Sequence, residues 1–421
     1  MDASIRERTA DAGGLGLATN PPDAVPAALA GLRIALVHDW LTGLRGGEKC
    51  LEVLCRAFPS ARLYTLIHRK GSTSPAIEAM AIRTSPLQRV PGVFRYYRQF
   101  LPIMPAAAAT WRLKNVDLVV SLSHCVAKSV RVPAGVPHVC YCFTPMRYAW
   151  QGRDAYLQSW SDRPIRRAAA RTLLDRLREW DRSTAARVSH FVAISETIRG
   201  RIAECYHRDS TVIEPPVDTD YYRPDPASAR EDFYLVVSAL VPYKRVDQSI
   251  AACRRTGRKL VVIGAGPDRE RLEAEAGPET TFLGWQPDDV IRDHYRRCRA
   301  LLFPGEEDFG IVPVEALGCG SAVIALDRGG AAETVPAACG RLYPEPTTDA
   351  LAAALDAWEA EGRPHDPAHA RERAESYALP VYRRRLLGLL ADVATAKERH
   401  PGVPRPHIAA PAAPTRRRRD G

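Results

Sequence analysis

Eight apolar runs separated by longer polar stretches set the rhythm of this chain. RIALVH (Arg33 to His38), DLVVSLS (Asp117 to Ser123), HVCYCF (His138 to Phe143) and HFVAIS (His190 to Ser195) come first. After Pro224 the pattern restarts with FYLVVSAL (Phe233 to Leu240), KLVVIGAG (Lys259 to Gly266), ALLFP (Ala300 to Pro304) and SAVIALD (Ser321 to Asp327). Near-continuous Val/Ile/Leu runs without alternation predict strands covered on both faces, and the helix-compatible segments between them predict parallel sheets flanked by helices. The fold class expected is α/β, with two doubly wound Rossmann-like domains facing across a cleft.

The proline-rich connector IEPPVDTDYYRPDP (Ile213 to Pro226) is stiff enough to separate the two units. It divides the chain into an N-terminal domain, 31–215, and a C-terminal domain, 216–375. A final helix at 376–398, with leucines at helical spacing from about Val381 to Lys397, is expected to return to the first domain. Residues 1–30 and 399–421, rich in Ala, Gly, Pro and Arg, read as disordered tails.

The strand ends hold the candidate chemistry. Glu307 falls just after the run ALLFP, and Glu315 lies a turn or so into the helix that Val312 to Leu317 begins; Pro313 is tolerated early in that helix. Ligands of open α/β sheets bind beyond the carboxyl ends of the strands. The N–H groups of Phe309, Gly310 and Ile311 at the helix start suit a phosphate. Both glutamates then serve better as acceptors for hydroxyls, which describes a nucleotide-sugar pocket.

Lys244 and Arg245 in VPYKRVD follow another strand end, where they can neutralise the charge that grows on a departing diphosphate. Gly46 and Gly47 in LRGGEKC let backbone approach a ligand at a helix start. Gly329 and Gly330 in DRGGAAETV would lie beside a sugar, with Glu333 capping locally. GAGPDRE (Gly264 to Glu270) has Arg269 where a dinucleotide fingerprint needs its third glycine, so it says little for NAD. Asp218 and Asp220 sit in the connector and read as turn residues, not as a metal-binding pair.

Charge and cysteines narrow the classes. The chain has 421 residues, a net charge of +10 and ten cysteines in no metal-ligand spacing, which suits free thiols in a reducing cytosol. An excess of Arg and Lys suggests an anionic partner, but no zinc finger, RRM signature or basic zipper accompanies it, so nucleic acid is not expected. No apolar run of about 20 residues marks a membrane span, and no leader pattern marks secretion. The segment Val93 to Lys114 mixes aromatic, basic and apolar residues. It could lie on an anionic membrane surface, aided by the Arg-rich helix Pro164 to Arg182 and by Arg416 to Arg419, or it could be an amphipathic helix pair packed on the first domain.

The two glutamates with seven residues between them, followed by GCG, resemble the hallmark of the retaining glycosyltransferases of family four, which have the GT-B fold. The resemblance covers nearly all of residues 32–395. VHDWLTGLRGGEK, SHCVAKSV, CYCFTPMRYAW, PPVDTDYY, VPYKRVD and PGEEDFGIVPVEA look most like the O-antigen mannosyltransferase branch. The resemblance implies that Glu307 contacts the donor sugar's hydroxyls, Glu315 the ribose and Lys244 the diphosphate, with Gly46 and Gly47 at the sugar–phosphate edge. It implies same-face attack with retention, the departing diphosphate taking the acceptor's proton, and neither bound metal nor cofactor.

Two positions depart from the pattern. Ala239 stands where members commonly have an arginine, with Arg245 as a candidate for the second charge. Phe143 stands where they commonly have a histidine near the reacting sugar, with His124 as a nearby candidate that is otherwise a packing residue. The expected activity is transfer of a hexose, foremost mannose from GDP-mannose, to a lipid-linked saccharide in surface polysaccharide (lipopolysaccharide) biosynthesis. It would take place in the cytoplasm, peripheral to the inner face of the membrane. The alternatives are a catalytically weak nucleotide-sugar or lipid-binding assembly protein and a GT-B phosphorylase or synthase.

Overall fold

The computed structural model describes residues 24–399 apart from 152, 154–156 and 158–163. Each of the eight apolar runs contains a strand. Seven parallel strands make the first sheet, in the order β3-β2-β1-β4-β5-β6-β7: β1 Ile34–His38, β2 Arg62–Thr65, β3 Ala81–Thr84, β4 Leu118–Ser123, β5 His138–Cys142, β6 His190–Ala193 and β7 Ser210–Val212. Six parallel strands make the second, ordered β10-β9-β8-β11-β12-β13: β8 Tyr234–Val237, β9 Leu260–Ile263, β10 Thr280–Gly284, β11 Ala300–Phe303, β12 Ala322–Leu326 and β13 Gly340–Tyr343. The strand order reverses between β1 and β4 in one sheet and between β8 and β11 in the other. In doubly wound sheets such switch points open a crevice at the strand ends.

Five strands escaped the apolar pattern because most lie at or near sheet edges, where one side of the strand is solvated. β3 (AIRT) has a mostly exposed surface, and β7 (STV) keeps no fully buried residue. Central strands such as β1, β4 and β12 are buried at every position. Helix Gly46–Ala57 buries Cys50, Leu51, Val53 and Leu54 against the first sheet, the i, i+3, i+4 stripe of an amphipathic helix.

Helix Leu379–Arg399 packs on the first sheet. Tyr382 meets Tyr141 of β5 edge-on at 5.8 Å, Arg385 pairs with Glu214 and donates to the Val212 carbonyl at 2.7 Å, and Leu386 and Leu390 are fully buried. It also covers the short turn Ala27–Leu29, in which Leu29 is buried. Residues 24–30, expected in a disordered tail, are therefore folded; the rest of both tails, Arg416 to Arg419 included, lies outside the described residues.

The segment after Val93 forms short helical turns whose Val93, Tyr97, Leu101, Met104, Trp111 and Leu113 are buried on the first domain, leaving Tyr96 and Ile103 exposed. Helix Pro164–Ala185 carries Asp181 into a fully buried polar cluster. There the Asp181 carboxylate pairs with Lys128 and accepts from Trp150 Nε1 (2.9 Å) and Tyr206 O–H (2.7 Å). Among the described residues no helix is long and apolar enough to cross a membrane.

Candidate active site

The second sheet's switch point brings Lys244 and Glu307 together. β8 and β11 are hydrogen-bonded neighbours, and the chain leaves β8 into the turn Pro242–Lys244 and β11 into Pro304–Asp308. Lys244 Nζ bonds to Glu307 Oε1, and both side chains stay partly open, at 17% and 25%. An ammonium and a carboxylate held at one strand edge can separate onto the two ends of a sugar diphosphate, the cation on phosphate and the anion on hydroxyls. Arg245 does not join them. Its backbone takes a left-handed φ of 54°, and its Nε sits 3.9 Å from Asp247.

The helix Ile311–Gly318 starts at Gly310, whose φ of 84° reverses the chain there, and has no side-chain cap. Its first N–H groups thus remain suited to an anion. Phe309 is buried against Tyr377, ring centroids 5.4 Å apart, so it anchors the turn while its backbone lines it. Glu315 lies one turn in, buried, and accepts from the Tyr295 hydroxyl at 3.2 Å. Burial pushes its carboxyl up to about 7, with Asp288 adding to the rise; Lys49, reaching from the first domain, and the Tyr295 hydroxyl oppose it. Lys49 thus acts electrostatically on Glu315, and the string GGEKC contained it without marking it.

The loop at Gly329 and Gly330 packs against the turn that carries Glu307. The Gly330 N–H donates to the Glu307 carbonyl at 2.8 Å, and a Cβ at either glycine would overlap the backbone of the Glu307–Phe309 turn. The loop braces the turn that carries Glu307. Glu333 is not a local cap: its carboxylate accepts from Glu196 N and Thr197 N, both 2.7 Å, at the start of helix Glu196–Tyr206 in the other domain. A side chain at Gly264 or Gly266 would overlap the Ser238 or Leu240 carbonyl, so GAG serves close packing of neighbouring strand ends. Asp218 accepts from the Tyr221 N–H at 3.0 Å, as a turn residue does.

Gly46 and Gly47 open a helix on the facing wall. A Cβ on Gly46 would come 2.6 Å from Ile311 Cδ1, so the glycine turn meets the start of helix Ile311–Gly318. A Cβ on Gly47 would lie 3.2 Å from Phe143 and 3.6 Å from His38 Nε2. The Glu48 carboxylate accepts from the Arg45 N–H at 3.0 Å, and burial raises its pKa to about 7. Phe143 stands between two imidazoles, 6.4 Å from His38 and 6.4 Å from His124.

The walls are tied together by a residue that the sequence pattern did not single out. The Asp308 carboxylate, from the turn between the two glutamates, pairs with Arg147 and Arg201 of the first domain, while its carbonyl accepts from Ser195 Oγ at 2.5 Å. Arg201 also donates to Glu306 at 2.9 Å. The flanking acidic residues of EEDFG thus hold the domains together while Glu307 points to Lys244. Among the described residues no group of three His, Cys, Asp or Glu is placed to hold a metal ion.

Two parallel doubly wound sheets whose switch points face each other across a cleft define a GT-B protein. Solved structures share this fold: the lipopolysaccharide outer core galactosyltransferase WaaB has a TM-score of 0.59 at 17% identity, over 86% of this chain and all of that one. Anabaena Alr3699/HepE in complex with UDP and glucose has a TM-score of 0.61 at 18% identity, over 86% and 99%. The model of Glycosyltransferase Family 4 matches residues 44–221 and that of Glycosyl transferases group 1 matches residues 219–378. Together the two matches run from residue 44 to residue 378, so over most of its length the chain is similar to glycosyltransferases of these two families.

Curated relatives match over parts of their length. The GDP-mannose-dependent alpha-(1-6)-phosphatidylinositol monomannoside mannosyltransferase of Mycobacterium tuberculosis is 31% identical over 172 residues, 34% of this chain and 45% of the relative. The phosphatidylinositol N-acetylglucosaminyltransferase gpi3 subunit of Schizosaccharomyces pombe is 31% identical over 188 residues, 41% of each. The chain spans less than half the length of these relatives.

Proposed function

We propose that this chain is a retaining, metal-independent mannosyltransferase that moves mannose from GDP-mannose to a lipid-linked saccharide during surface polysaccharide assembly, at the cytoplasmic face of a membrane. The observation that carries the reading is the Lys244–Glu307 pair at the switch point beside the uncapped helix at Gly310. On donor binding, the Lys244 ammonium and the helix N–H groups take the diphosphate, and Glu307 is released to the sugar hydroxyls. As the bond to the sugar breaks, charge accumulates on the diphosphate, where Lys244 stabilises it in a site partly closed to water. Glu315 and Lys49 would hold the ribose end, with Gly46 and Gly47 closing over the sugar. The mannose and lipid assignments are supported by the strings shared with the O-antigen branch and by relatives whose names carry GDP-mannose and phosphatidylinositol.

The test is a thermal-shift panel with GDP-mannose, UDP-glucose and ADP-glucose, followed by transfer from the stabilising donor to lipid-linked acceptors. GDP-mannose should stabilise most; a shift with UDP-glucose alone would overturn the mannose assignment. Phe143, packed over Gly47 in place of a histidine, favours a second reading as a nucleotide-sugar-binding assembly protein of weak catalytic power. Binding of GDP-mannose with neither transfer nor slow donor hydrolysis would select it.

A further inference from the structure

We propose that His124, fixed by Asp39, accepts a hydrogen bond from the attacking hydroxyl of the acceptor and orients it toward the donor sugar. The inference rests on the transferase reading above and assigns the acceptor side of the same cleft. Its starting point is Asp39, fully buried where the chain leaves β1. One carboxylate oxygen accepts the N–H groups of His124 (2.7 Å) and Cys125 (2.9 Å), and the other those of Val126 (2.6 Å) and Ala127 (2.7 Å). A single carboxylate therefore organises the whole turn that leaves β4, across the first sheet's switch point.

The oxygen that binds His124 N also lies 3.1 Å from His124 Nδ1. That oxygen already takes two N–H donors and faces Nδ1 with its lone pairs, so the proton sits on Nδ1 and Nε2 keeps its lone pair. The ring meets Trp40 edge-on, centroids 4.4 Å apart at 89°, which fixes its direction. Burial lowers its pKa; Asp39 opposes that fall, while Arg147, Arg45 and Arg98 add to it. The imidazole is accordingly neutral near pH 7 and can accept. Its side chain stays 31% accessible, although the Asp39 side chain behind it is sealed from solvent.

The other histidines nearby lack this combination. His138 is fully buried, with Nε2 bonded to Ser121 at 2.8 Å inside the sheet. His38 is 1% exposed, sends Nδ1–H to the Trp40 carbonyl at 3.1 Å and faces Gly47 with Nε2. His124 alone of the three keeps a partly accessible side chain, at 31%. It lies beside Phe143, whose ring can guide a substrate but cannot bind a hydroxyl.

The experiment compares wild type with His124→Ala, His124→Gln and Asp39→Asn. Measured are the acceptor KM, the donor-induced thermal shift, slow donor hydrolysis and the melting temperature of the free protein. Loss of one oriented hydrogen bond should raise the acceptor KM about tenfold or more in His124→Ala. The donor shift and hydrolysis should stay at wild-type levels. His124→Gln, which retains a side-chain acceptor, should recover part of the loss, and Asp39→Asn should resemble His124→Ala if it stays folded. An unchanged acceptor KM in His124→Ala overturns the proposal, as does an equal loss of the donor shift. Wild-type protein that neither binds nor transfers a donor would instead overturn the transferase reading beneath it.

Discussion

Replacing Glu315 by Gln should flatten a pH dependence of stability that the wild-type protein carries at this buried carboxyl. Burial raises this carboxyl from 4.5 to about 7. The folded-state pKa lies above the unfolded one, so the contribution is fully present below 4.5 and is lost as pH rises through 7. The displacement of about 2.5 units, at about 1.36 kcal/mol per unit, sets a limit near 3.4 kcal/mol. Between pH 5 and pH 8 the part lost is about 2–3 kcal/mol, since at pH 5 some of the unfolded-state carboxyl is already ionised. Urea unfolding of both proteins across that range reads the difference directly. Glu48, which shares a pKa of about 7, and His38, lowered to about 4, are present in both proteins and cancel in the difference. The stability of Glu315→Gln relative to wild type should climb by that amount with pH. Parallel curves for the two proteins would refute a buried, protonatable Glu315. The same reasoning predicts that donor affinity of the wild type rises as pH passes 7, because a carboxylate accepts two ribose hydroxyls better than a carboxylic acid does; the Gln variant should show no such rise.

Two further substitutions probe the frame around the site. Asp308→Ala removes the partner of Arg147 and Arg201 and should favour domain opening by about 1–3 kcal/mol, seen as a larger radius of gyration by solution scattering and a raised donor KM. An unchanged radius and KM would show that the pairings do not hold the closed form. Asp181→Ala strands Lys128 in the core together with the Tyr206 and Trp150 donors, and should cost about 3–5 kcal/mol in urea unfolding. A loss under 1 kcal/mol would mean that the buried cluster is not energetically coupled.

The legible part of the fold was the part buried on both faces. Eight central or near-central strands announce themselves as Val/Ile/Leu runs, whereas β3 and β7 are short, half-solvated edges whose polar residues look like loop. Lys244 and Glu307 were readable because the ends of adjacent strands must converge. The left-handed backbone at Arg245 was not readable, because its neighbours do not announce it. What Gly330 approaches closely is another loop's backbone, a contact that its sequence neighbours do not announce. Glu333, Asp308 and Asp39 act over more than 80 residues of sequence, on elements brought near only by the fold. Long-range capping and pairing of this kind have no local signature.

The central claim is that Glu307, released from Lys244, binds the donor sugar in the transition state. Donor affinity and single-turnover transfer by Glu307→Gln test it most directly. The account predicts a turnover lowered about 10²-fold or more, with donor affinity changed far less, because the hydrogen bonds strengthen as the sugar departs. Near-normal sugar transfer by that variant would contradict it.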